Sequence, residues 1–204
     1  ISSVDGVSAI LHCLGQELPK IVPCDKVGFC TRIGHDKLEY LEMVPETGEI
    51  KRTELPLMGS SLGQSILQGT MMIDNQTGHL SVFFDSRELF EHGLESVADL
   101  PLVRKGKVFA ALRVAAKKAN SFRQKDEHLL GLLRDHAGNN FYNAITIERL
   151  ADTERIFSQV FENSHEAVFI VNPQNGAIAA VNSKAEELTG KNRRELLEEK
   201  IFCI

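Results

Sequence analysis

No stretch of this sequence approaches the roughly 18 consecutive apolar residues that a membrane-spanning helix needs. Its first residues, Ile1-Ser2-Ser3-Val4-Asp5, lack the basic segment followed by an apolar one that marks a secretory signal. A soluble, cytoplasmic segment without membrane contact is therefore expected. Long basic runs are missing as well. Lys117, Lys118, Arg123 and Lys125 come nearest, interrupted by Asp126 and Glu127, and a formal net charge of -5 argues against nucleic-acid contact. Cysteine is sparse: Cys13, Cys24, Cys30 and Cys203 stand without CxxC or zinc-finger spacing, which argues against a disulfide framework and reads as reduced thiols. P-loop, GxSxG and HExxH motifs are absent, so no catalytic residue and no metal ligand is assigned, and this segment is expected not to be an enzyme.

What the sequence does hold is periodicity. Hydrophobic residues are 43% and charged residues 25%, a globular balance, and 204 residues suit one domain plus a smaller piece. Val7, Ile10, Leu11, Leu14, Leu18 and Ile21 recur at helical steps, predicting a first helix ended by Pro19 and Pro23. Residues 27–33 and 38–44 alternate as a hairpin about Gly34. Ser61 and Gln64 have capping-box spacing and open a short helix stopped by Gly69. Residues 71–73 read as a brief strand, 85–95 as a helix or polar loop, and 97–103 as a strand pairing with 108–115 across Lys105-Gly106.

Proline is then missing from Arg123 to Pro173, and the apolar pattern from Leu129 to Phe161 predicts one helix. Unbroken, it would run about 55 to 60 Å at about 1.5 Å per residue. Inside it Ile147, Leu150, Glu154, Phe157 and Phe161 alternate steps of three and four, the seam of a short coiled coil. A helix packed wholly on its own domain is the competing reading upstream of Ile147. Beyond it, residues 167–172, a Pro173-Gln174-Asn175-Gly176 turn and residues 177–182 form an apolar hairpin, and Ser183 opens a helix closed at Gly190. This tail reads as the beginning of a domain whose remainder lies past Ile204.

The order of these pieces resembles a GAF domain over residues 1–147, its last helix starting near 123. The carriers are Cys24-Asp-Lys-Val-Gly-Phe29, Leu57-Met-Gly-Ser-Ser-Leu-Gly63, Leu67-Gln-Gly-Thr-Met-Met-Ile-Asp74, Leu100-Pro-Leu-Val103 with Val108-Phe-Ala-Ala-Leu-Arg-Val114, and the Asn120 to Leu130 helix start. Residues 164–204 resemble the first half of a PAS domain, through Phe161-Glu-Asn-Ser164, the hairpin, Asn182 and Glu187-Leu-Thr-Gly190. Residues 140–163 between them resemble a signalling helix. An α+β fold is implied: a GAF-like antiparallel sheet with its first and last helices on one side, a long helix and a partial PAS-like α/β segment. The resemblance further implies a sensor of a bacterial-type multidomain protein that detects a small ligand or a redox cue and relays it through a homodimer to a histidine kinase. The alternative is a dimerisation module without ligand, in an enhancer-dependent transcription activator or a cyclic-dinucleotide enzyme. No cofactor is assigned.

Several motifs invite sharper readings. Ser164-His165-Glu166 looks like a phospho-accepting box, but it precedes a strand-like run where such a box needs a dimerising helix. His12-Cys13 pairs the residue types of bilin attachment, yet stands in the opening helix. Phe122, Asp126 and Glu127 match the end of a cyclic-nucleotide signature whose Asn-Lys start is replaced by Lys118-Ala119, and acids in a first helical turn already suit its dipole. Arg113 and Asp99 interrupt apolar strands. With a two-residue turn at Lys105-Gly106, Ala98 faces Arg113 and Leu112 faces Asp99, so the charges are expected on opposite faces, one of them in the ligand cavity. Phe29, Thr31 and Met72 join them as pocket-wall candidates by alternation. The stripe Val7, Ile10, Leu14 and Leu18, facing the long C-terminal helix, is expected to stay exposed and make a helical bundle with a second subunit.

Overall fold

Short connections make consecutive strands into neighbours, and the computed structural model, which describes residues 5–44, 47–78 and 81–200, shows the outcome. β1 (Lys26–Ile33), β2 (Lys37–Met43), β3 (Ile50–Pro56), β4 (Met72–Asp74), β5 (Ser96–Arg104) and β6 (Lys107–Ala116) build one sheet in the order β3-β2-β1-β6-β5-β4. Every pairing in it is antiparallel. The fold is α+β, and the chain divides into two units, residues 1–146 and 147–204.

In the first unit, α1 (Asp5–Glu17) and the opening half of α4 (Gln124–Glu162) cover one face of the sheet. Val7, Leu11 and Leu18 from the first segment meet Leu130, Ala137 and Phe141 from α4 and Val27, Phe29, Leu100 and Leu112 from the strands. Phe29 stacks on Phe141 with ring centres 4.3 Å apart. The stripe expected to be exposed is thus not free: Val7 and Leu18 are buried, and Ile10 and Leu14 pack against the same core. The sheet itself supplies the apolar surface that the stripe needs.

α2 (Ser61–Gln68) and α3 (Phe84–Glu91) serve the other face, over Cys30, Leu38, Tyr40, Leu55 and Ala111. The cap of α2 is Ser60, whose hydroxyl accepts from Gly63 N at 3.0 Å, and not Ser61. Ser60 takes the extended backbone of a cap, whereas Ser61 is already helical and its hydroxyl is used elsewhere. Gly69 closes α2 in the left-handed region. β3 was invisible to alternation because Lys51, Arg52 and Glu54 crowd it; as an edge strand it tolerates them, with Lys37–Glu54 at 2.8 Å and Arg52–Glu39 at 3.1 Å.

The β5–β6 hairpin carries the largest correction. Lys105 and Gly106 form the expected two-residue turn, both at positive φ, and Val103 faces Val108. Leu102, however, faces Ala110, so Phe109 is an extra residue on β6 and the register shifts by one. Asp99 and Arg113 consequently stand directly opposite on the same face.

The second unit begins with α4 from Ile147 and continues through β7 (Phe169–Val171), β8 (Ile178–Val181), α5 (Ser183–Thr189) and α6 (Arg193–Leu197). Ile178, Val181, Ala185 and Leu196 form its small core. Asn182, fully buried, ties it together: its Oδ1 accepts from Val168 N at 2.9 Å and Ala185 N at 3.0 Å, and its Nδ2 donates to Phe161 O at 3.1 Å and Glu166 O at 2.9 Å. Among the described residues β7 pairs with β8 alone, and its Ile170 and Val171 are exposed. On α4, Ile147, Leu150 and Phe157 are exposed, while Phe161 is half-buried and stacks on Phe157 at 5.6 Å. His165 lies in the non-helical link to β7. Among the described residues no helix is long and apolar enough to cross a membrane.

Candidate functional site

The face under α2 and α3 holds the unusual chemistry of the first unit. Arg113 lies in the middle of β6 and its side chain is 2% exposed, so its charge needs compensation inside the protein. Nε donates to Asp99 Oδ1, and Nη2 donates to Asp99 Oδ2, Asp85 Oδ2 and Ser61 Oγ, each at 2.7 Å. Ser61 Oγ in turn donates to Asp99 Oδ2 at 2.6 Å, and Ser61 N donates to Asp85 Oδ1 at 2.9 Å. Two strands, the start of α2 and the start of α3 therefore share one guanidinium.

One cation facing two buried carboxylates sets their acidities apart. Burial raises the Asp99 carboxyl above its ordinary range despite the pull of Arg113. Burial also acts on Asp85, but the Arg113 charge and the Ser61 amide outweigh it and hold that carboxyl below the ordinary range. Arg113 itself is desolvated, yet Asp99 and Asp85 hold its proton more firmly than usual.

A cavity of about 130 Å³ adjoins this cluster, lined by Arg113, Asp85, Tyr40, Thr53 and Leu55 and by charged residues of both signs, Lys26 and Lys51 with Glu42 and Glu88, beside His92. Tyr40 is 5% exposed, its ring centre is 5.8 Å from the Arg113 Cζ, and its Oη is buried without a hydrogen-bond partner among the described residues. The ring lies over Gly28, where any Cβ would stand 2.2 Å from the Oη. Lys26, salt-bridged to Glu42 at 2.7 Å, also lines a wider groove of about 500 Å³ beside Cys24 and Met43.

Of the five pocket candidates, the structure brings Arg113 and Asp99 together, and Met72 stands opposite Asp99 on the same face at the sheet edge. Phe29 and Thr31 fall on the other face, Phe29 deep in the helix-side core. Tyr40, Ser61 and Asp85 escaped sequence reasoning. Tyr40 shares a β2 face with Leu38 and Glu42, a pattern that could have flagged it; Asp85 reads as an ordinary first-turn acid. Asp126 accepts from Arg123 N at 3.0 Å, a capping contact, and Phe122 is fixed by both side-chain ends of Asn75.

The thiols offer no ready nucleophile on this face. Burial pushes Cys24 up to about 12, with Asp25 adding to it, and burial likewise raises Cys30. Cys13, Cys24 and Cys30 are all free.

Comparison with known proteins gives these features a context. The PAS fold family matches residues 155–202. No curated protein matches the chain. Among solved structures, the GAF domain of a two-component sensor histidine kinase from Bacillus halodurans superposes with a TM-score of 0.57 at 19% identity, covering 67% of this chain and 94% of its own. A type II free methionine-R-sulfoxide reductase from Thermoplasma acidophilum gives 0.52 at 16% identity, covering 69% and 93%. A GAF domain/HD domain protein from Geobacter sulfurreducens gives 0.51 at 15%, covering 71% and 94%. At such identities the likeness is one of fold. The six-stranded sheet with its helices has the GAF fold, and the segment that follows it matches the PAS fold family over residues 155–202.

Proposed function

We propose that this chain is a non-catalytic regulatory module of a cytoplasmic signal-transduction protein, in which the state of the GAF domain reaches the PAS-like unit through α4 of a homodimer. The observation that carries this reading is the continuity of α4. One helix of 39 residues supplies Leu130, Ala137 and Phe141 to the core of the first unit and ends at Phe161 and Glu162, which bond Asn182 and Ser183 of the second. Between these ends Ile147, Leu150 and Phe157 are exposed at seam spacing. A second copy is the occupant that this seam suits. Sedimentation equilibrium tests it: a dimer at micromolar concentration, weakened by Leu150→Ser with Phe157→Ser, is expected, and a wild-type monomer at high micromolar concentration overturns the reading.

One observation favours the second reading, a dimerisation module that binds nothing. Arg113 and Asp99 pair with each other inside the protein, as a collapsed pocket requires. The small cavity with its unpaired Tyr40 Oη supports sensing instead. Native mass spectrometry of the purified chain separates them, since retained small-molecule mass supports sensing. For the output we assign a histidine kinase, supported by the Bacillus halodurans neighbour. Autophosphorylation of the parent protein with ATP tests that assignment against a transcription activator or a cyclic-dinucleotide enzyme.

A further inference from the structure

The Asp85 carboxylate sits as a bound ligand would. It is held by Arg113 Nη2 at 2.7 Å, by the Ser61 amide at 2.9 Å and by the Leu62 amide at 3.4 Å, with the Ser61 hydroxyl, whose proton goes to Asp99, 3.2 Å away. These donors come from β6 and the N-terminal turn of α2, a place where backbone N–H groups and the helix dipole favour an anion. Asp85 itself belongs to α3, the element on which it arrives. No side-chain cap holds the start of α3, which is anchored by Phe84 against the Tyr40 and Leu62 cluster, by its Phe84 amide on Gly59 O at 3.2 Å and by Leu89 against Leu94, Val97 and Ala115.

Asp85 does not use everything the site offers. All hydrogen bonds of the guanidinium run through Nε and Nη2, so Nη1 meets no acceptor among the described residues. Tyr40 Oη is buried and likewise unpaired among them, on a nine-tenths buried side chain that lines the same 130 Å³ cavity as Arg113 and Asp85. Charge decides the class of ligand. Arg113 is already matched by two carboxylates, so an added anion would leave the cluster over-negative, whereas an anion that replaces one carboxylate leaves the balance unchanged.

We propose that Asp85 is a tethered occupant of a carboxylate-binding site formed by Arg113, Ser61, the first turn of α2 and Tyr40, and that a small free carboxylate displaces it and releases α3 from the sheet. The tether gives Asp85 a high effective concentration. The incoming ligand offsets that by pairing Arg113 Nη1 and Tyr40 Oη, which Asp85 leaves unused. The proposal rests on the sensory reading above in one respect, that occupancy of this domain is what α4 reports.

The test uses the whole chain with acetate as probe. In Asp85→Ala the tether is gone, and sodium acetate is expected to raise Tm saturably by several degrees over sodium chloride of equal ionic strength. Adding Tyr40→Phe is expected to shift the acetate midpoint upward about tenfold, the loss of one buried hydrogen bond. Equal responses to acetate and chloride overturn the proposal. Should Asp85→Ala fail to fold, hydrogen exchange on the wild type decides: acetate must speed exchange in α3 while leaving the first turn of α2 protected, and an exchange pattern blind to acetate overturns it. A negative result here leaves the dimeric relay standing, because sedimentation reads the α4 seam alone; a monomeric wild type removes the relay and leaves the acetate result intact.

Discussion

Asp99 and Arg113 face each other across β5 and β6 and form two hydrogen bonds of 2.7 Å, because Phe109 is one residue too many for its strand. Without that bulge the two charges would point to opposite faces, each needing a separate partner. The bulge thereby creates the ion cluster.

Removing its cation should therefore be severe. Arg113→Met leaves two buried carboxylates without their shared partner, and a loss of roughly 3–5 kcal/mol is expected in urea unfolding. Replacing Arg113, Asp85 and Asp99 together by apolar residues of similar volume should recover most of that loss, since the penalty lies in the uncompensated charges.

The cluster also predicts a pH profile. Asp85 has a folded pKa below its ordinary 3.8, so its contribution is complete above that value and is lost as pH falls through the depressed folded pKa. Asp99 has the opposite sign: its folded pKa lies above 3.8, so its contribution is greatest below the ordinary value and is lost as pH rises through the raised one. Stability should thus rise on mild acidification from neutral pH and collapse only below the ordinary carboxylate range. In Asp99→Asn the rise should vanish while the acid collapse remains, as read by denaturant midpoints across pH.

The entry to α2 is sterically closed. A Cβ on Gly63 would stand 1.8 Å from the Leu57 carbonyl oxygen, a backbone atom, and 2.8 Å from the Ser60 hydroxyl that caps the helix. Gly63→Ala is expected to cost about 1–3 kcal/mol by overpacking, whereas an alanine at Gly131, which meets nothing within 4 Å, should be neutral or stabilising in the same thermal scan.

Thiol reactivity should follow exposure. Iodoacetamide at neutral pH is expected to label exposed Cys13 well before Cys24, whose thiol is pushed up to about 12, or buried Cys30. Peptide mapping by mass spectrometry gives the order.

In the second unit, Asn182→Ala removes a helix cap and strands the Val168 amide and the Phe161 and Glu166 carbonyls. A local loss of roughly 3 kcal/mol is expected, seen as faster amide exchange in α5 with α1 to α3 unaffected.

Much of this architecture is legible in the residues themselves. The α1 stripe, the β1–β2 and β5–β6 hairpins, Gly69 and Gly190 as helix stops and the unbroken α4 follow from periodicity and from where proline and glycine stand. What failed depends on neighbours. Whether the α1 stripe faces its own sheet or another chain is not written in its spacing. β3 is charged because an edge permits it. A bulge turns on a single residue, and no local pattern around Phe109 announces it, so the face of Arg113 could not be read in advance. Asp85 gains its meaning only when α3 is laid on β6, across 28 residues of sequence.

The end of α4 has a mechanical consequence. Phe161 O is held by Asn182 Nδ2, and the next residue, Glu162, accepts from the Ser183 amide and hydroxyl at 3.1 and 2.8 Å and pairs with Arg193 at 2.5 Å. Three segments, the last turn of α4, the link before β7 and the first turn of α5, are pinned to one side chain at the exit of β8. Asn182 is thus a pivot pin, the one side chain at which the end of α4, the hairpin and α5 meet.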